Sequence, residues 1–196
     1  MDRASYKGTF RIDDVSVNTD IVGLVRIVAA IRDRLPDSRV LLAVSPIAHD
    51  LSEEPPHERG RVFPKILNAM SDHRVFYRVD RIGLPDLKLV ESYFPGHVDL
   101  ASHGLLHVDH RLLPREVQEL SILVSSSLVK SKVLVPPYNK WNRDTEEICR
   151  EHGIRLVKWE DGWRHASHNG FDPTCPHYYL HAHDTTAAEI AEWLDR

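Results

Sequence analysis

Apolar positions along the chain follow two alternating periods, and each change of period marks a passage between a short strand and an amphipathic helix. Thr9-Phe10-Arg11-Ile12 has strand length and runs into Asp13-Asp14. Ile21, Leu24, Val25, Val28, Ile31 and Leu35 recur at helical spacing behind the possible N-caps Asn18, Thr19 and Asp20, and Pro36 closes the pattern. The nearly all-apolar run Arg39 to Val44 suits a strand buried on both faces of a parallel sheet. Residues 47–62, rich in Glu, Pro and Arg, read as an exposed loop, Pro64 to Ser71 as a short helix and Val75 to Val79 as a strand.

Val98 to Ala101 is a further strand that feeds directly into Ser102-His103-Gly104. Pro114 stands where a first helical residue would, ahead of the stripe Val117, Leu120, Val124 and Leu128. Lys132 to Val135 is a strand stopped by Pro136-Pro137, Asp144 to His152 a helix closed by Gly153, and Ile154 to Val157 another strand. Tyr178 to Leu180 leads to His181 and His183, and Thr185 or Thr186 caps a last helix with Ile190, Trp193 and Leu194. Strands alternating with helices predict an α/β fold with a mainly parallel sheet.

With 196 residues, 42% of them apolar, and no Gly- or Ser-rich linker, the chain suits one compact domain over residues 1–196. The net charge of −4 is spread along the sequence, without the basic run that nucleic acid or an anionic membrane would require. A small polar ligand is the better expectation. Met1 to Gly8 lacks the long apolar stretch of a secretory leader or membrane span, so a cytoplasmic protein is expected. Cys149 and Cys175 lie outside any CxxC spacing and read as free thiols, Cys149 packed on a helix.

Histidine is over-represented, with thirteen residues crowded towards the second half. His49, His57, His73, His152, His165 and His168 read as surface residues. Five lie within a few residues of strand ends, where ligand sites form in parallel α/β folds. After the first strand come Asp13-Asp14, after a middle one His103 to His107, and after later ones Pro136 to Asn139, Trp159 to Trp163 and His181 to Asp184. His103 and His107 face the same way if the turn between them is helical, and Asp14 completes a two-His, one-carboxylate set with open positions for water. Such a set points to a divalent metal, Zn²⁺ first, with Co²⁺, Ni²⁺ or Fe²⁺ able to fill the same site. His110, one turn beyond His107, is the internal rival. Two adjacent acidic residues repel each other unless a cation is near, which favours a metal over the simpler reading of Asp14 as an N-cap.

Arg11-Ile12-Asp13-Asp14-Val15, Ser102-His103-Gly104-Leu105-Leu106-His107, Val135-Pro136-Pro137-Tyr138-Asn139 and Leu180-His181-Ala182-His183-Asp184, in that order, resemble the NodB-homology polysaccharide deacetylases, the family 4-like carbohydrate esterases. The resemblance implies a distorted (β/α) barrel of about seven mainly parallel strands and removal of an N-acetyl or other N-acyl group from an amino sugar. It also implies Asp14, His103 and His107 as metal ligands, Asp13 as general base, and the Tyr138 N–H as an oxyanion donor. His183, or else His181, would be the general acid. Pro137, Asn139, Trp159 and Trp163 would line the substrate site, with core packing the alternative for either Trp.

Two positions depart from the resemblance. Val15 stands where a Gly is usual, and Val135 where an Arg usually steadies the catalytic Asp, so that Lys158 or Arg164 is expected to supply the missing charge. The expected substrate is a precursor of a surface polysaccharide or a glycolipid. A deformylase or amidase acting on a small non-sugar amide is the second enzyme reading, and a carbohydrate-binding homologue without catalysis is the non-enzyme one.

Overall fold

The computed structural model describes residues 6–16, 19–46, 84–166 and 170–196. The expected loop 47–62, the helix at 64–71, the strand at 75–79, and Asn18, His49, His57, His73 and His168 lie outside them. Seven strands form one sheet: β1 (Thr9–Val15), β2 (Arg39–Val44), β3 (Val98–Ser102), β4 (Val133–Leu134), β5 (Arg155–Leu156), β6 (Trp163–His165) and β7 (His177–His181). Their order is β5-β4-β3-β2-β1-β7-β6, and every neighbouring pair is parallel. With seven strands among the described residues, the sheet curls into the distorted, open (β/α) barrel that the resemblance implies.

Alternation along β1 and β2 divides the core in two. Phe10 and Ile12, with Val40, Leu42 and Val44, turn outwards and pack with α1 (Ile21–Arg34), α2 (Leu84–Tyr93) and α5 (Ala187–Asp195). Leu24, Ile27, Val28 and Ile31 supply the buried stripe of α1, each such side chain contributing about 1.5–3 kcal/mol. The other set, Leu41 and Ala43, meets Ala101, Val135, Val157 and Trp163 inside the barrel, and Arg11 and Asp13 belong to this inner face by the same alternation. A third cluster, Ile122, Leu134, Ile148, Cys149 and Ile154, seats α3 (Arg115–Val129) and α4 (Arg143–Glu151) on β4.

Helix boundaries follow local chemistry. The Asp20 carboxylate accepts from the Val22 N–H to start α1, so Asp20 rather than Asp14 is the cap there. Pro114 is the cap residue of α3 instead of its first helical one. Asn142 and Thr145 close a reciprocal capping box on α4, and Thr186 and Glu189 do the same on α5. Helix α2 and strand β6 are additions to the elements expected from sequence. Both cysteines are free and buried, and no described helix is long and apolar enough to cross a membrane.

Candidate metal centre

Because the seven described strands are all parallel, their carboxyl ends share one rim, and Asp14, His103, His107, Tyr138 and His183 collect there. β1 ends in Asp13-Asp14-Val15 with an irregularity: Ile12 pairs with Leu42 and Val15 with Val44, so Asp13 and Asp14 together oppose Ala43. This bulge places Asp14 in the left-handed region, φ 60°, and turns its carboxylate across the rim. β3 delivers His103, whose N–H bonds the Val44 carbonyl, while the Ser45 hydroxyl donates to the His103 carbonyl at 3.0 Å.

The turn from His103 to His107 is not helical, contrary to expectation. Gly104 adopts φ 77°, and the chain bends through Leu105 and Leu106 with the Leu105 N–H held by the Ser121 hydroxyl of α3 at 3.1 Å. A Cβ on Gly104 would lie 3.0 Å from both His110 Nε2 and the Leu106 carbonyl oxygen. This bend still brings the two imidazoles to one face, with ring centroids 5.2 Å apart.

His103 Nε2 and His107 Nε2 stand 3.1 and 3.0 Å from Asp14 Oδ1, and the three candidate ligand atoms all lie within 4.8 Å of one another. His103 Nδ1 donates to the Val135 carbonyl at 2.8 Å, which fixes the ring with Nε2 turned towards Asp14. Burial acts to raise the Asp14 pKa, but the contacts with His103 and His107 outweigh it and hold the carboxyl well below the usual range. Two imidazole nitrogens and a carboxylate oxygen at this spacing fit a divalent cation of the zinc class. His110 stays outside the set: it is fully buried behind it, and burial first, then the neighbouring His103, lowers its pKa to about 4.

Asp13 points the other way, into the barrel. Arg11 Nη2 donates to Asp13 Oδ2 at 2.7 Å, and both side chains are shut from solvent, at 0% and 4% exposure. Asp13 Oδ1 has no partner among the described residues. The charge expected from Lys158 or Arg164 therefore comes from neither: Lys158 pairs with Glu146 and Arg164 with Asp172. The same Arg11 nitrogen donates to Asn139 Oδ1 at 2.6 Å, so Asn139 is engaged inside the barrel. Trp163, 6% exposed, lies against Arg11, whose guanidinium carbon is 4.8 Å from the indole centroid, so the core-packing alternative describes its position.

Pro137 is buried in a short turn, Pro137–Asn139, in which Tyr138 and Asn139 both have positive φ, 58° and 54°. The Tyr138 ring is 39% exposed and 4.3 Å from that of His107. Trp159, 44% exposed, starts the turn Trp159–Asp161 and meets Tyr179 edge-on. His181 ends β7, but His183 lies in the turn beyond, so the two do not share a strand face. His183 Nδ1 is 3.5 Å from Asp14 Oδ2, whereas His181 Nδ1 is 3.7 Å from Asp184 Oδ2. Glu119, Glu151 and His152 form a second group at ligand spacing, but it lies partly open on the surface and is taken up by His152 with Glu119 and by Arg115 with Glu151.

Comparison with known proteins gives no match to a protein family profile and none to a curated sequence. Solved structures do match. A family 4 carbohydrate esterase pseudoenzyme from Bacillus anthracis superposes with a TM-score of 0.63 at 9% identity, over 98% of this chain and 60% of that one. A family 4 carbohydrate esterase from Streptomyces lividans in complex with acetate gives 0.55 at 11% identity over 97% and 86%, and the peptidoglycan deacetylase PdaC from Bacillus subtilis gives 0.53 at 11% over 98% and 83%. The chain has the fold of the family 4 carbohydrate esterases. It spans only 60% of the first of these relatives, the pseudoenzyme. Within this esterase fold, the Asp14, His103 and His107 group sits at the carboxyl rim of the strands, and Arg11 lies one layer beneath it. Arg11 is the residue that sequence reasoning passed over; its signal was an Arg two positions before Asp13, hence on the same strand face.

Proposed function

We propose that the chain is a metal-dependent hydrolase that removes an N-acetyl or other N-acyl group from an amino sugar. The observation that carries this reading is the convergence of Asp14, His103 and His107, from β1 and from the loop after β3, to within 4.8 Å at the rim of an esterase-type barrel. A cation held there would polarise the acyl carbonyl and bring the pKa of a water to about 7. Zn²⁺ is the first choice for mixed imidazole and carboxylate ligands.

The chain's own groups divide the remaining work. Asp13 would take a proton from the attacking water through Oδ1, its unpartnered oxygen, while Arg11 holds Oδ2. The Tyr138 N–H, on the left-handed turn beside His107, would donate to the oxygen of the tetrahedral intermediate. His183 would give a proton to the sugar nitrogen as the C–N bond breaks, releasing the carboxylic acid and the free amine. It stands by Asp14, and His181 is second choice because it faces Asp184. Tyr138 and Trp159 offer exposed rings at the rim against which a sugar can lie.

Elemental analysis and amine release from a panel of acylated sugars test this reading. Asp13→Asn is expected to keep the metal and to stop turnover, since the amide cannot accept the proton; retained turnover overturns the role of Asp13. A protein that takes up no Zn²⁺ and releases no amine on addition of metal would instead be a binding module.

A further inference from the structure

The guanidinium of Arg11 touches two segments that lie far apart in the chain, the end of β1 and the Pro137–Asn139 turn. One nitrogen, Nη2, donates both to Asp13 Oδ2 at 2.7 Å and to Asn139 Oδ1 at 2.6 Å. Asn139 follows Tyr138, and these two consecutive non-glycine residues hold φ values of 58° and 54°. Single residues in this region cost of order 1–3 kcal/mol and persist only where their surroundings determine them. Asn139 is itself bonded by its N–H to the Pro136 carbonyl at 3.1 Å, which closes the turn. A link from Asn139 to a fixed group in the barrel wall is therefore a direct restraint on the orientation of the Tyr138 peptide.

Arg11 is suited to be that fixed group. It is wholly buried, and its position is set by rings: the indole of Trp163 at 4.8 Å and the phenol ring of Tyr179 at 5.1 Å from the guanidinium carbon. Its Nε and Nη1 find no hydrogen-bond acceptor among the described residues. The buried cation thus directs its hydrogen bonds wholly to Asp13 and Asn139, while Trp163 and Tyr179 hold the plane from which it does so. Trp163 rests in turn on His177, centroids 4.8 Å apart, so the support extends down to the amino ends of β6 and β7.

We infer that Arg11 is a positioning residue that fixes the Asp13 carboxylate and the Tyr138–Asn139 turn relative to each other, through the two N–H groups of one guanidinium nitrogen. This inference rests on the deacylase reading for its kinetic consequence but not for its geometry. A displacement of about 1 Å between base and oxyanion donor is enough to cost on the order of 100-fold in turnover. Arg11 is wholly buried behind Asp13 and Asn139, so its loss is expected to act on kcat with KM unaltered.

The test uses the full chain, Arg11→Lys, Asn139→Ala and the double variant, with two kinds of readout. The first is the ¹⁵N-resolved signals of the arginine side chains, where a guanidinium with one doubly held nitrogen gives a slowly exchanging, resolved Nη pair. That pair is expected in the wild type, lost in Arg11→Lys and broadened in Asn139→Ala. The second is kinetics on the metal-loaded protein with Co²⁺ binding as control. Each single variant is expected to lose kcat on the order of 100-fold with KM and Co²⁺ affinity unchanged, and the double variant to be no worse than Arg11→Lys alone. Additive losses, or an Asn139→Ala variant with full kcat, overturn the coupling. Weakened Co²⁺ binding in step with kcat would show a merely structural residue. If the wild type releases no amine from any acylated sugar, the deacylase reading fails, and the side-chain signals alone then decide whether Arg11 holds both partners.

Discussion

Replacing Gly104 by Ala separates two costs that usually arrive together. Gly104 and Gly96 share a φ of 77°, yet a Cβ at Gly96 meets nothing within 4 Å, whereas one at Gly104 meets His110 Nε2 and the Leu106 carbonyl oxygen at 3.0 Å and Pro137 Cγ at 3.4 Å. The left-handed conformation costs an alanine roughly 1–2 kcal/mol, and the stiffer unfolded chain returns about 0.4–1 kcal/mol. Gly96→Ala should therefore destabilise by no more than about 1.5 kcal/mol. Gly104→Ala carries the same cost plus overpacking of about 1–3 kcal/mol, because one of its neighbours is backbone and cannot rotate away. Urea unfolding at unchanged slope measures both, and for a domain of this size the extra term corresponds to a further drop in Tm of about 2–4 °C per kcal/mol. Co²⁺ titration supplies a second axis: Gly104→Ala should weaken binding by shifting His103 against His107, and Gly96→Ala should not. Equal losses of stability at the two glycines would refute the argument that the bend between the two imidazoles is packed to its limit.

Further outcomes follow from the same geometry. A divalent ion that binds the folded chain at a hundred times its Kd adds about 2.7 kcal/mol, so Zn²⁺ should raise Tm by roughly 5–10 °C in the wild type. Asp14→Ala and His103→Ala should lose that rise along with bound metal; a metal-induced shift that survives Asp14→Ala removes Asp14 from the ligand set. Burial, then the neighbouring His103, lowers the His110 pKa to about 4 from 6.5, so the folded chain takes up the proton later than the unfolded one. The penalty is absent above about pH 6.5 and grows as pH falls towards 4, reaching about 3 kcal/mol. Denaturation in EDTA across this window should show His110→Leu losing that part of the slope, and an unchanged slope would mean that His110 is not the group responsible.

The elements were legible where burial imposes a period. The stripe of α1 faces one core and repeats at helical period, while β2 faces a core on each side and is apolar throughout. Helix α2 went unread although Leu87, Val90 and Phe94 keep helical spacing and all three are buried. Strand β6 was not legible, because three residues with Arg164 exposed leave no pattern to read. At the site, the residue types and their order exposed the metal set, but not its local geometry. A spacing of four positions between His103 and His107 suggested a helical turn; Gly104, with its positive φ, was the contrary signal. Arg11 escaped notice because Thr9-Phe10-Arg11-Ile12 reads as polar-out, apolar-in alternation, which holds for a sheet with one wet face. In a curled sheet the second face is also closed, and a polar residue on it needs an internal partner.

Asp13 and Asp14 illustrate how a fold can use two neighbouring like charges without burying either alone. In a regular strand Asp14 would point outward with Phe10 and Ile12, into the helix-packed core, where an unpaired carboxylate is costly. The bulge opposite Ala43 and the φ of 60° at Asp14 remove that outcome by redirecting the side chain along the rim to His103 and His107. Asp is among the few residues that reach this backbone region at modest cost. Asp13, just before the turn, keeps the strand's inward direction and so falls on the face of Arg11, two residues earlier. Each carboxylate thus acquires its own positively inclined partner, a guanidinium for one and a pair of imidazoles for the other. The division also gives them different chemistry: Asp14 is directed to the imidazole pair at the rim, and Asp13 keeps one oxygen tethered and the other unpartnered. The irregularity at the end of β1 is therefore what turns a repeated residue into two distinct groups.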